Sequence, residues 1–155
     1  MATDTLTVII PGTPVAQGRP KAGRWRSKDG REGVSMRDPG RSRSWKGDAQ
    51  VHMLKARGGR PVAEGPLRVE LLAVFPCPKG DYRKCEPRER RWKVSKNNDV
   101  DNIAKASMDA GNAVLWHDDG QVVELVARKI IAAQGEAPRV ELRISPMTDD
   151  PPGGE

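Results

Sequence analysis

Histidine and cysteine are nearly missing from this 155-residue chain, which has only two of each, and tyrosine and phenylalanine occur once apiece. His52, His117, Cys77 and Cys85 do not supply the four-ligand Cys/His pattern of a structural zinc site, so zinc chemistry is set aside. The two cysteines are expected to be free thiols in a reducing compartment. Aromatic residues make up 4% and hydrophobic residues 36% of the chain, which implies a modest core and favours oligomerisation as a source of further burial. No window approaches the roughly 18 consecutive apolar residues that a membrane-spanning helix needs. The start, Met1-Ala2-Thr3-Asp4, carries neither a basic nor an apolar leader region. A soluble, cytoplasmic protein with no membrane partner is the expectation. The length suits one domain over residues 1–146, followed by an acidic, Pro/Gly-rich tail over 147–155 that is expected to be disordered.

What the chain has in quantity is positive charge. The formal net charge is +6 with a pI near 9.6, and the cations are grouped. Residues 17–60 hold 13 Lys/Arg against four Asp/Glu, and residues 79–96 hold eight against three, together 21 of the 27 positive residues. Two basic blocks on either side of an acidic cluster suit contact with a nucleic-acid backbone, and binding of that kind weakens with salt.

Residues 5–10, Thr-Leu-Thr-Val-Ile-Ile, read as a strand ended by Pro11, Gly12 and Pro14. Residues 17–40 are rich in Arg, Gly and Ser and read as a loop or mobile hairpin. Trp45, Ala49, Met53 and Ala56 recur at helical spacing and predict a helix over 42–57, stopped by Gly58-Gly59. Leu67–Phe75 is apolar enough for a central strand. Residues 76–98 form a long basic connection, and loops of that length tend to be functional or disordered. Val100, Ile103, Ala104, Met108 and Leu115 predict a second helix from 99 or 100 to about 115. Residues 121–132 and 139–144 read as strands joined through Gly135, most simply as an antiparallel hairpin. The fold class is therefore α/β (α+β), a small mixed sheet flanked by two main helices.

The chemistry lies in the acidic cluster. Asp99 and Asp101 would point about 200° apart inside one regular helix, so they can share an ion only if the helix begins between or beside them. Asn98 and Asp99 are good N-cap types, which permits that start. Asp101, Lys105 and Asp109 follow at i+4 steps along one face, placing the lysine where it can meet a phosphate oxygen. Taken alone, Asp-x-x-x-Lys is an ordinary ion pair and Asp118-Asp119 a polar turn. Together, a helix opening on Asp-x-Asp and a following strand opening on Asp-Asp can bring three carboxylates to one Mg²⁺ ion, with Mn²⁺ as a substitute.

At these residues the chain resembles the RusA family of Holliday-junction resolvases. Their hallmark runs Asp-x-Asp-Asn-Leu-x-Lys-x-x-x-Asp, then Asp-Asp-x-Gln-Val, then a downstream Lys. It is matched here by Asp99, Asp101, Asn102, Ile103, Lys105 and Asp109, by Asp118, Asp119, Gln121 and Val122, and by Lys129. Ile10-Pro11-Gly12-Thr13-Pro14 with Arg19-Pro20-Lys21 resembles the family's opening segment. The resemblance implies a dimeric, Mg²⁺-dependent endonuclease that cuts four-way DNA junctions by paired nicks. It assigns the essential carboxylates to Asp99, Asp101 and Asp119, the essential lysine to Lys105, and a lesser place to Asp118. Ile103 for Leu, Gly111-Asn112 after Ala110, and a longer basic loop over 79–96 depart from the pattern without touching a ligand position.

Arg19, Lys21, Arg24, Arg26, Arg88, Arg90, Arg91 and Lys129 are the candidate DNA contacts. Trp25 and Trp92, set among them, can stack on unpaired bases or pack in their loops. Two other readings stand beside the resolvase: a non-catalytic DNA-binding module, and a general nuclease of flaps or forks.

Overall fold

Buried Val8 and Ile10 alternate with exposed Thr7 and Ile9, so β1 (Leu6–Pro11) lays one face on the core. The structure is a computed structural model describing residues 4–153. Residues 1–3, and the last two residues of the tail expected to be disordered, lie outside the described residues.

Residues 17–40 contain a hairpin. β2 (Lys21–Arg26) and β3 (Glu32–Arg37) pair antiparallel as a separate two-stranded ribbon. The backbone N–H of Ser27 donates to the Arg31 carbonyl at 2.8 Å, and that of Gly30 to the Ser27 carbonyl at 3.1 Å. Gly30 sits at φ +77°, a conformation glycine adopts without strain. Across the ribbon the Trp25 indole lies on Gly33, where a Cβ would fall 2.7 Å from the ring.

The helix α1 (Gly40–Arg57) begins two residues before the expected start and buries Trp45, Ala49 and Met53, three of the four residues read as its stripe. The Ser42 hydroxyl, also buried, donates to the Pro39 carbonyl at 3.1 Å and closes the first turn. α2 spans Val100–Gly111 and ends short of Leu115. At that end the Trp116 ring packs on Gly111, where a Cβ would lie 2.3 Å from it, and the Trp116 indole N–H donates to Asn112 Oδ1 at 3.0 Å. Leu115 is buried all the same, from a loop.

The remaining strands are β4 (Leu67–Phe75), β5 (Arg91–Trp92), β6 (Val122–Ile131) and β7 (Arg139–Pro146). With β1 they form a five-stranded sheet in the order β1-β7-β4-β6-β5. The expected hairpin of the last two strands is not formed. β4 lies between them, parallel to β6 and antiparallel to β7. The reason is burial: β4 is apolar along nearly its whole length, and the most buried strand takes partners on both edges. The parallel pair requires a crossover, which residues 76–121 supply through α2. Both helices pack their apolar residues into one cluster with Val8, Ile10, Val69, Leu71, Val140, Leu142 and Ile144. A smaller cluster of Val74, Ile130 and Ala132 lies apart.

The basic connection is anchored. Gln134 accepts from the Arg83 N–H at 2.9 Å and donates to the Arg83 carbonyl at 3.0 Å, while the Arg90 guanidinium pairs with Glu136. Cys77 is buried and Cys85 exposed, both as free thiols. Beyond β7 the Met147 N–H donates to the Pro66 carbonyl at 2.9 Å. No helix is long and apolar enough to cross a membrane among the described residues.

Candidate active site

α2 starts at Val100, between the two carboxylates whose spacing demanded it. Asn98 turns the chain at φ +58°, a left-handed conformation asparagine tolerates better than most residues. Its carbonyl accepts from Lys129 Nζ at 3.0 Å, so a β6 side chain fixes the entry into the helix. Asp99 stands at the N-cap position in extended conformation without a side-chain capping bond, and Asp101 follows in the first turn. Both are exposed, and neither joins an ion pair among the described residues. Lys105 is exposed one turn further along.

Asp109, the next residue on that face, is occupied. Its carboxylate accepts from Lys46 Nζ of α1 at 3.2 Å, and the same ammonium meets Asp38 at 2.7 Å. Asp38 also accepts from Gln17 Nε2 at 2.9 Å, while the Gln17 backbone N–H donates to the Asn102 carbonyl at 2.8 Å. The hydrogen bond from Lys46 holds the Asp38 carboxyl below its ordinary value, with Gln17 and the charge of Lys105 acting in the same direction against burial. Asp38, Lys46 and Gln17 therefore belong to the neighbourhood of the helix start, and the sequence reading missed them. The one available cue was Asp38-Pro39 directly before a helix.

Asp118 has a local task. Its Oδ1 accepts from the Gly120 N–H at 2.8 Å, and Gln121 reaches back to the Asp118 and His117 N–H groups at 3.2 and 2.7 Å. This capping box holds a 3₁₀ turn, Asp119–Gln121, which touches α2 and leads into β6. Asp119 thus enters at the Val122 end of β6, whereas Lys129, which holds the residue before Asp99, is near its other end. At ~3.3 Å per residue, the seven steps from Val122 to Lys129 cover roughly 23 Å.

The oxygen donors of Asp99 and Asp101, exposed and uncommitted, fit a hard divalent cation in chemistry. Within one chain the set is short of a third member: no group of three His, Cys, Asp or Glu side chains is placed to hold a metal ion among the described residues.

The whole segment bearing this motif lies within residues 11–145, which match the family described as Endodeoxyribonuclease RusA. The chain belongs to the RusA endodeoxyribonuclease family. It is also 34% identical over 147 residues to "Uncharacterized protein YqaN" of Bacillus subtilis (strain 168), covering 91% of this chain and 96% of that one.

In this RusA-family chain the candidate DNA contacts divide into two sets. Arg19, Lys21, Arg24 and Arg26 are exposed on and beside β2, and among the described residues only Arg26 has an ion-pair partner, Glu32 at 3.2 Å on the same ribbon. Arg88, Arg90 and Arg91 are tied inward instead. Arg90 forms a two-pronged pair with Glu136, Arg91 pairs with Asp81, and Arg88 Nε donates to the Asp81 carbonyl at 3.4 Å. These bonds hold the basic connection together and give the three arginines a structural part. Lys129, bonded to the Asn98 carbonyl, is likewise a positioning residue in this structure. Lys93 lies over the Phe75 ring, 4.6 Å from its centroid. Trp25 packs on its own ribbon, while Trp92 is 69% exposed and open to stacking.

Proposed function

We propose that this chain is a Mg²⁺-dependent, structure-selective endodeoxyribonuclease that resolves four-way DNA junctions by paired nicks, working as a homodimer. Family membership supports the nuclease. The observation that carries the rest is the start of α2 between two uncommitted carboxylates, with Lys105 exposed one turn beyond.

Asp99 and Asp101 would hold the ion, with Asp119 as the third carboxylate. When bound, such an ion lowers the pKa of a water molecule and offsets phosphate charge. Lys105 presents its ammonium to a phosphate oxygen, where it stabilises the charge that develops during cleavage. Asp38, anchored by Lys46, lies within the field of Lys105 and keeps a counter-charge at its side. Lys129 holds the Asn98 carbonyl and thereby the direction in which Asp99 leaves the chain. The β2–β3 ribbon, with Lys21, Arg24 and Arg26 exposed, lies along the phosphate backbone, since a two-stranded ribbon fits the DNA major groove. A two-fold dimer gives two sites for two symmetric cuts.

The test is a synthetic mobile four-way junction, incubated with and without Mg²⁺ beside fork and flap substrates, with nicks mapped on every strand. Symmetric, Mg²⁺-dependent nicks on opposed strands are expected. Preference for forks or flaps would replace the junction reading with a general nuclease. Binding without nicking in either condition would leave a DNA-binding module.

A further inference from the structure

The β2–β3 ribbon is an arm held at its two ends. Among the described residues, the hydrogen bonds and ion pairs of residues 21–37 all stay within the ribbon. Its exposed cations Lys21, Arg24, Arg26 and Arg37 are what a phosphate backbone would grip, and any such load reaches the rest of the chain through those ends.

The ends meet at one joint. Gln17, four residues before β2, donates from Nε2 to Asp38 Oδ1 at 2.9 Å, directly after β3. Beside it Gly18 lies so close to Pro39 that a Cβ would fall 2.4 Å from the proline ring, an approach open to glycine. Both helices are fastened to this joint. The Pro39 carbonyl, at the start of α1, accepts from Ser42 Oγ at 3.1 Å. Lys46 of α1, its side chain only 15% exposed, meets Asp38 at 2.7 Å and Asp109 of α2 at 3.2 Å. The Gln17 backbone N–H donates to the Asn102 carbonyl at 2.8 Å, in the first turn of α2 and next to Asp101. One residue therefore holds the arm by its side chain and the carboxylate-bearing helix start by its backbone. Its Oε1 is buried without a donor. A buried acceptor left unpaired is costly, so the amide is kept there for the two bonds Gln17 donates and not for its own satisfaction.

We propose that Gln17 is a positioning residue that couples the ribbon to the start of α2, so that seating the ribbon on DNA sets the direction of Asp101 and Lys105. This rests on the ribbon's place on DNA proposed above and deepens that reading. Asp101, Lys105 and Asp109 share one face of α2, and one ammonium holds both Asp109 and Asp38, so a displaced Asp38 shifts what that face rests on. After the Lys46 hydrogen bond, the charge of Lys105 also helps to hold the Asp38 carboxyl low, which puts the lysine on the joint's side of the helix.

The first measurement needs no cleavage. Hydrogen exchange is followed in wild type and Gln17→Leu, with and without a synthetic four-way junction, in chelator. In wild type the junction should slow exchange in the ribbon and, by roughly 10-fold, at residues 103–107, the first amides that α2 bonds. In Gln17→Leu the ribbon should stay protected while 103–107 slow by no more than about 2-fold. Equal protection of 103–107 in both proteins would overturn the coupling. A wild-type ribbon left unprotected would overturn its place on DNA, and the coupling with it. The second measurement is single-turnover nicking at saturating protein. Gln17→Leu should lower the rate constant ~10- to 100-fold with full amplitude and with junction affinity within about 3-fold of wild type, whereas misfolding would lower the amplitude. If Gln17→Leu does not fold, Gln17→Glu sets two carboxylates against each other in its place. Adding Asp38→Asn to it reverses the direction of the bond, and the rate should return to within about 3-fold of wild type. A double variant no faster than Gln17→Glu, or a Gln17→Leu that nicks at the wild-type rate, would refute the positioning role. A wild type that binds the junction without nicking would overturn the nuclease reading instead, and the exchange measurement alone would then decide the coupling.

Discussion

Four aspartates crowd around α2 and its approach, and they fall into two unlike pairs. Asp38 and Asp109 converge on Lys46 at 2.7 and 3.2 Å and tie the helices and the ribbon's end together. The carboxylates of Asp99 and Asp101, at the helix start, have no ion-pair or side-chain hydrogen-bond partner among the described residues and face solvent. All four are the same residue type in the same basic surroundings. What separates them is whether a cation from another element has been supplied, and an acidic residue left without one is where an external cation gains most.

The sharpest way to break that contrast is to neutralise one member of each pair. Asp101→Asn should lower nicking at least ~100-fold, since even outer-shell losses around a metal cost up to that factor, while urea unfolding stays within about 0.5 kcal/mol of wild type. Asp109→Asn should do the reverse, retaining nicking and losing stability. If both variants kept full activity, the open pair would have no catalytic part. Lys129→Met probes the support beneath the open pair. It frees the Asn98 carbonyl, and a fall in nicking of ~10- to 100-fold, with DNA affinity unchanged in a gel-shift titration, is expected. Lys46→Met attacks the closed pair. Leaving two half-exposed carboxylates without their ammonium should cost about 1–2 kcal/mol in urea unfolding.

The smallest effect is expected far from both pairs, at Glu136. The Arg90 guanidinium first, then the Ala133 N–H and Arg139, hold its carboxyl down to about 2 against burial. A carboxylate depressed in the folded state contributes stability above its ordinary value of 4.5. That contribution fades as pH falls from there towards 2. Stability measured over that window should therefore decline less steeply in Glu136→Gln than in wild type.

Much of this was legible because local pattern and burial agree. The stripe of α1, the strand character of Leu67–Phe75 and the break between Asp99 and Asp101 each follow from residues within one or two turns of one another. The ribbon's turn was marked by Asp29-Gly30, a strong hairpin signal inside a segment read as a loop or mobile hairpin, and the hairpin is what forms. Pairing was not legible in the same way. Gly135 lies between β6 and β7 and invites a hairpin, yet β4 takes both their edges, a choice made by long-range burial. The end of α2 was hidden for a similar reason, because Gly111 is covered there by the ring of Trp116, a contact made beyond the helix itself. Nor could charge counting show that Arg88, Arg90 and Arg91 are bound to Asp81 and Glu136.

The parallel register of β4 on β6 leaves a mark on biosynthesis. Leu67–Phe75 emerges from the ribosome long before Val122–Ile131 and Arg139–Pro146, the two strands that flank it. Until they arrive, both edges of the most apolar strand of the protein wait without their partners. At ~5–20 residues per second that interval lasts several seconds, ample time for a chaperone to engage a nascent chain.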